Sequence, residues 1–169
     1  MPTRMHDHEV EVDEVLVGRL LAAQMPDIAG RPLTIVEPWG TDNAIWRLGD
    51  DLVVRLPRIE SATGQVELEW TWLPRLAPHL SIAVPEPVAL GQPGFGYPFR
   101  WAVHRWVPGE GAGPNRMADP LAFAIDLAET VSQIQSCDTT AAPAARNRAR
   151  PLQEYDEATR RAIDGAEHL

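Results

Sequence analysis

The sequence predicts an α+β fold in which the β part comes first. Residues 32–57 hold three short runs with apolar residues in strand-like patterns, and turns rich in Gly and Asp separate them. This arrangement is typical of an antiparallel meander. Residues 60–77 and 119–137 instead carry apolar side chains at helical spacing. The 169 residues are typical of one domain with a core of ordinary size.

The first predicted helix follows a polar leader. Asp13 is a good N-cap residue, apolar residues follow it at helical spacing, and Pro26 comes just past the expected end. The first dozen residues are expected to be frayed because they are mostly polar. His6 and His8 lie in this leader, and an acidic leader is a better explanation of them than a metal site. We therefore expect no metal ligands here.

Changes in the spacing of apolar residues predict the next strands and helix. Strands are expected at 32–38, 43–48 and 52–57, and a helix is expected at 60–77 with Val66, Trp70 and Leu73 on one face. Pro74 predicts a kink or an early stop near Leu73. Short extended pieces follow at 82–84 and 88–90, a turn-rich connection at 91–98, and a further strand at 99–107.

A segment rich in Gly and Pro begins at Pro108 and marks the clearest boundary of the sequence. The later residues favour an amphipathic helix at 119–137, a loop at 141–150 and a short charged helix at 153–167. We expect no Ser/His/Asp or Cys/His nucleophile arrangement, and no catalytic residue is assigned.

Composition excludes several classes of protein. The net charge is −9, which argues against nucleic-acid binding. All 15 basic residues are Arg, so Schiff-base, P-loop and other lysine chemistry is excluded. The single Cys137 forbids an internal disulfide, and a reducing, cytoplasmic location is expected. The N-terminus resembles no signal peptide, and no apolar run is long enough to span a membrane.

Two features of the β part suggest an anion site. The turn Gly40-Thr41-Asp42-Asn43 lies between two strands, where its backbone N–H groups either cradle an anion or form an ordinary hairpin. Arg55 lies in the middle of a strand, so on the inner face it needs a carboxylate partner. Glu67 and Glu69 on the following helix are the candidates. An arginine that is ion-paired with a glutamate of a helix, below a glycine-containing turn, is suited to bind a phosphate.

Four segments resemble the aminoglycoside phosphotransferase family of the kinase-like superfamily. They are GTDNAIWRLGDDLVVRLPR at 40–58, QVELE at 65–69, WLPRLAP at 72–78 and RWVPGE at 105–110. The resemblance extends over about 12–168. It implies a protein-kinase-like N-lobe, in which one helix packs on an antiparallel sheet, followed by a hinge and the first helices of an incomplete C-lobe. The implied boundaries are 1–107, 108–118 and 119–169.

The resemblance also implies roles for individual residues. Gly40, Thr41, Asp42 and Asn43 match the loop that covers the nucleotide. Arg55 matches the cation that contacts the α- and β-phosphates, and Glu69 matches the residue that orients it, with Glu67 as the rival. His104 falls at the gatekeeper position. The backbone C=O of Arg105 and N–H of Val107 would bind the base of ATP or GTP.

The sequence departs from the family in the catalytic part. The family's His-Gly-Asp loop, its Mg²⁺-binding Asn and its Asp-Phe-Gly segment are missing from the 169 residues. The resemblance thus implies a truncated, ATP-dependent small-molecule O-phosphotransferase that is inactive alone and lacks Mg²⁺ ligands. A small hydroxylated substrate would bind only with a complete C-lobe. The alternative is a non-catalytic module that binds nucleotide or a partner. The 119–137 helix is expected to expose an apolar face and to favour self-association.

Overall fold

The computed structural model describes residues 8–37, 40–111, 113, 118–143 and 151–166. The chain forms two compact units, Met1–Cys137 and Asp138–Leu169. The first unit holds the sheet and three of the described helices. The second holds a 3-10 turn at Leu152–Tyr155 and the helix α4 at Asp156–Ala166. No helix within the described ranges is both long enough and apolar enough to cross a bilayer.

A five-stranded antiparallel sheet forms the centre of the first unit. Its strands are β1 at Leu33–Ile35, β2 at Asn43–Leu48, β3 at Leu52–Pro57, β4 at Pro87–Gly91 and β5 at Trp101–Arg105. Their order is β1-β2-β3-β5-β4, so β5 lies between β3 and β4. The expected meander of the first three strands is confirmed. The extended segment expected at 82–84 is irregular and pairs with none of the five described strands.

Helix α1, at Glu14–Gln24, packs on one face of the sheet. Asp13 caps it as predicted, because its carboxylate accepts a hydrogen bond from the backbone N–H of Leu16 at 2.7 Å. Leu20 and Leu21 are fully buried and join the core with residues of β2, β3 and β5. Burial of this apolar face stabilises the helix more than the propensity of its residues does.

The expectation that the first dozen residues are frayed is wrong for those from Glu9 onward. Glu9 is buried and forms an ion pair with Arg58, and the N–H of Val10 donates to the C=O of Arg58 at 2.8 Å. Val12 is buried in the core. A polar sequence was a poor guide here because a buried carboxylate can be compensated by an arginine 49 positions away.

Helix α2, at Gly64–Leu76, follows a 3-10 turn at Glu60–Ala62. Of the two alternatives expected at Pro74, a kink or an early stop, the early stop near Leu73 is wrong, because the helix continues through Pro74 and the N–H of Ala77 donates to the C=O of Leu73. Pro74 has no N–H to donate to the C=O of Trp70, so the helix keeps its last turn at the cost of one hydrogen bond.

Helix α3, at Pro120–Ser136, confirms the amphipathic helix predicted beyond the Gly/Pro segment. The Asp119 carboxylate accepts hydrogen bonds from the N–H groups of Leu121 and Ala122, both at 3.0 Å. Ser81 contacts the helix, because its N–H donates to Oε1 of Gln133 at 2.9 Å. The side chains that remain exposed are largely apolar, namely Leu121, Phe123, Ile125, Leu127, Val131 and Ile134.

Candidate functional site

A cleft of about 580 Å³ lies on the face of the sheet that α2 borders. A volume of this size is typical of small-molecule sites. Strands β2, β3 and β5, helix α2 and the segment after β5 supply its walls. Its lining residues are Gly40, Asn43, Ile45, Val53, Arg55, Glu69, Leu73, Pro85, His104, Arg105, Trp106 and Val107.

Arg55 presents a positive charge to this cleft. Its position on β3 is opposite Ile45 on β2 and Ala102 on β5. The guanidinium forms an ion pair with Glu69 and donates to Oε1 of Gln65 at 2.8 Å. About a quarter of each side chain in the pair is exposed, so water screens it less than a surface pair. A guanidinium carries five N–H donors, so it can hold a ligand oxygen while Glu69 fixes its direction.

The other candidate glutamate has a different partner. Oε1 of Glu67 lies 3.4 Å from Nη1 of Arg100, and both side chains are nearly half exposed. This pair borders a separate surface groove rather than the cleft. Between the two carboxylates considered in the sequence, the structure thus assigns Glu69 to Arg55.

His104 lies beside the ion pair and is almost fully buried. Burial, and then the positive charge of Arg55, lower the pKa of its imidazole to about 4, so the side chain is neutral at pH 7. Its Nε2 lies 3.9 Å from Oε2 of Glu69, and no hydrogen-bond partner for it exists within the described part of the chain. A buried polar atom without a partner is costly, and a bound ligand can satisfy it.

The 40–43 turn is only partly directed to the cleft. Gly40 and Asn43 line it, whereas Thr41 and Asp42 are not among its lining residues. The C=O of Asp42 accepts a hydrogen bond from the N–H of Arg58 at 2.8 Å, which ties the turn to the end of β3. Asn43 is buried, and its Oδ1 finds no hydrogen-bond partner among the described residues.

The segment after β5 closes one end of the cleft. Arg105 at the end of β5 and the next two residues, Trp106 and Val107, line it, so the two residues expected to bind the base lie in the same cleft as Arg55 and Glu69. This segment continues directly from the sheet, because Arg105, the last residue of β5, still pairs with Leu52 of β3.

Sequence reasoning missed the apolar walls of the cleft. Ile45, Val53, Leu73 and Pro85 line it without carrying any chemical motif. The strand alternation contained a signal for two of them, because Ile45 is two positions from Asn43 and Val53 is two positions from Arg55. Residues on one face of a sheet alternate in this way.

Residues 35–168 match the profile of the phosphotransferase enzyme family. The chain belongs to this family. No curated protein matches the chain. The family match covers strands β2 to β5, α2, the cleft and α3, and it confirms the resemblance seen in the sequence.

Solved structures of aminoglycoside phosphotransferases share the fold of this family member. Wild-type aminoglycoside 2′-phosphotransferase IIIa in its GDP complex has a TM-score of 0.75 and 20% identity, over 90% of this chain and 52% of that chain. ADP-bound APH(2″)-Ib has a TM-score of 0.56 and 18% identity, over 86% and 47%. The streptomycin–ATP–APH(2″)-IIa ternary complex has a TM-score of 0.55 and 18% identity, over 79% and 43%.

These likenesses confirm the α+β, kinase-like fold expected of a phosphotransferase family member. The chain spans about half the length of the solved structures that it matches.

Among the described residues, no three His, Cys, Asp or Glu side chains lie together in a group that could hold a metal ion. His8 is exposed, and its neighbour His6 lies outside the described residues.

Proposed function

We propose that this chain is the nucleotide-binding lobe of an ATP- or GTP-dependent O-phosphotransferase whose substrate is a small hydroxylated molecule, such as an aminoglycoside. The observation that carries the proposal is the Arg55–Glu69 ion pair inside the cleft. It supplies a positioned cation, and the segment after β5 supplies backbone donors and acceptors at the other end. The family match and the nucleotide complexes of the similar structures support the same conclusion.

The cleft suits a nucleotide for chemical reasons. In the proposed complex, the Arg55 guanidinium binds the α- and β-phosphates and Glu69 orients it. The N–H groups of the 40–43 turn cover the phosphates, because successive backbone N–H groups make an anion-binding concavity. The C=O of Arg105 and the N–H of Val107 bind the base.

The orphaned polar atoms and the apolar walls support this fit. Asn43 Oδ1 and His104 Nε2 are both buried without a partner among the described residues, and both residues line the cleft. Ile45, Val53 and Leu73 offer apolar surface for the two faces of a purine ring. A local cation also matters because the chain as a whole, at −9, repels a polyanion.

We propose that the 169 residues bind nucleotide without transferring its phosphate. They contain neither a His-Gly-Asp nor an Asp-Phe-Gly triplet. In the family that the sequence resembles, these triplets carry the catalytic base and a metal ligand. We propose a nucleotide-binding lobe at 1–107, a hinge and linker at 108–118 and the start of a helical C-lobe at 119–169. We also propose a reducing, cytoplasmic location, as expected from the single cysteine of the sequence.

The proposal is tested by titrating ATP and GTP separately into the purified chain by calorimetry. Arg55→Ala should weaken the tighter nucleotide at least tenfold, because it removes the cation that faces the phosphates. Glu69→Gln should weaken it less, since the cation remains but loses its partner. Glu67→Gln is the matched control and should bind as the unaltered chain does, because its partner Arg100 lies outside the cleft. An unchanged affinity of Arg55→Ala would remove Arg55 from the site and overturn the proposal.

The exposed apolar face of α3 favours a second candidate, a non-catalytic module that binds nucleotide or a partner protein. A phosphotransfer assay with ATP or GTP and kanamycin tests the absence of transfer that both candidates share. A rate above background from the 169-residue chain would contradict our proposal that it does not transfer phosphate.

A further inference from the structure

We propose that Asp51 is a positioning residue for the nucleotide base. It lies outside the cleft, in the turn between β2 and β3. From there it holds Arg105 and Trp106, the first two residues of the segment proposed to bind the base. The inference rests on the proposed function and extends it to a residue that does not touch the nucleotide.

The first contact extends the sheet into the segment after β5. The ladder between β3 and β5 ends with the pairing of Leu52 and Arg105. Beyond it, the N–H of Trp106 donates to the C=O of Asp51 at 2.9 Å. The backbone of Trp106 is therefore held by the β2–β3 turn, although Trp106 belongs to no strand.

The second contact uses the side chain of Asp51. Its Oδ2 accepts a hydrogen bond from Nη1 of Arg105 at 2.8 Å, and its Oδ1 accepts one from Nη1 of Arg31 at 2.6 Å. About half of the Asp51 side chain is exposed, so each ion pair by itself is weak. The two arginines hold the carboxylate from different segments of the chain, which fixes its direction toward Arg105.

The third contact fixes the Trp106 ring. The Arg47 guanidinium lies over this ring, 4.8 Å from its centroid. Arg47 also donates to the C=O of Asp50 at 2.9 Å and to the C=O of Gly49 at 3.3 Å. The same turn thus holds the backbone of Trp106 directly and its indole through Arg47.

These contacts matter because Trp106 lies between the two backbone groups proposed to bind the base. The C=O of Arg105 precedes it and the N–H of Val107 follows it. A segment held in its binding geometry before the ligand arrives loses less conformational freedom on binding. Loosening the turn should therefore weaken the base contacts and leave the phosphate contacts at Arg55 unchanged.

The test compares Asp51→Ala with Asp50→Ala, which removes the same charge from the neighbouring position. ATP, GTP and inorganic tripolyphosphate, which has no base, are titrated into each 169-residue variant. Asp51→Ala should weaken the tighter nucleotide about threefold to fivefold and leave tripolyphosphate binding unchanged. Hydrogen exchange at the Trp106 amide should become faster without ligand. Asp50→Ala should match the unaltered chain in every measurement.

The outcomes separate this inference from the proposed function. If the unaltered chain binds nucleotide but Asp51→Ala binds it equally well, or loses tripolyphosphate to the same extent, the positioning role is wrong and the nucleotide site stands. Unchanged exchange at Trp106 also overturns the role. If the unaltered chain binds neither nucleotide, the proposed function fails, and the positioning role fails with it.

Discussion

At the scale of single residues, His104 combines deep burial with a position on the cleft. Its imidazole is neutral in the folded chain because burial and the charge of Arg55 lower its pKa to about 4. In the unfolded chain, the ordinary pKa is about 6.5. Between these two values the unfolded chain binds a proton that the folded chain does not, so the free energy of unfolding falls as the pH falls.

We expect His104→Leu to make stability less dependent on pH. Between pH 7 and pH 5, the unaltered chain should lose about 2 kcal/mol of unfolding free energy through His104, and the variant should not show this loss. Urea unfolding at the two pH values measures the difference. His79→Leu is the control, because His79 is exposed. An equal pH dependence in His104→Leu and the unaltered chain would show that His104 is not the group responsible.

The pairing of Arg55 shows what a sequence can and cannot establish about a residue. The strand pattern predicted that an inward Arg55 needs a carboxylate, and it limited the candidates to Glu67 and Glu69. Residues two positions apart on a helix point in nearly opposite directions, so only one of them can reach Arg55. Choosing between them required the rotation of α2 about its axis, which depends on packing with the sheet.

At the scale of elements, the strands of the first meander were predictable and the order of the sheet was less so. Alternation and short turns identify β1, β2 and β3 and pair them in sequence. The position of β5 depends on non-local pairing, since β5 lies against β3 as well as β4. The early stop expected at Pro74 was wrong, because the last turn of α2 forms although proline removes one of its hydrogen bonds.

The indole ring of Trp101 lies directly against Gly91, where β4 and β5 pair. Gly91 pairs with Trp101, and a Cβ atom at position 91 would lie 1.9 Å from Cε2 of the indole. Trp101 is fully buried, and its indole N–H donates to the C=O of Gln92 at 3.1 Å. The ring thus cannot move aside without losing both core packing and this hydrogen bond.

Gly91→Ala should therefore lower the free energy of unfolding by roughly 3 kcal/mol, because the ring or the strand must shift in a packed core. Urea unfolding measures the loss. Gly18→Ala in α1 is the matched control, since nothing lies within 4 Å of the new Cβ. It should raise stability by about 0.5–1 kcal/mol through helix propensity. A Gly91→Ala chain as stable as the unaltered one would contradict the close approach.

At the scale of the whole molecule, two opposing properties control association. Helix α3 exposes a set of large apolar side chains, among them Leu121 at 72% exposure. Exposed apolar patches favour contact between molecules. The net charge of −9 opposes such contact, and salt screens the repulsion.

We expect the chain to self-associate as concentration rises, and more strongly in high salt. Replacing Leu121 and Ile125 together with Gln should reduce this association, because both side chains are more than half exposed on α3. Sedimentation velocity at several concentrations and salt levels measures it. Ile163→Gln changes an exposed apolar residue of α4 and should leave association as it was. A monomer at every concentration would contradict the expectation.

The cation of the cleft has a consequence for chemical labelling. Arg55 occupies the position facing the proposed phosphates, and no side chain anywhere in the sequence is a lysine. A guanidinium stays protonated at ordinary pH and is a poor nucleophile beside an amine. Nucleotide probes that acylate a nearby lysine amine therefore have no target side chain here. A proteome survey based on such probes would pass over this cleft even when a nucleotide filled it.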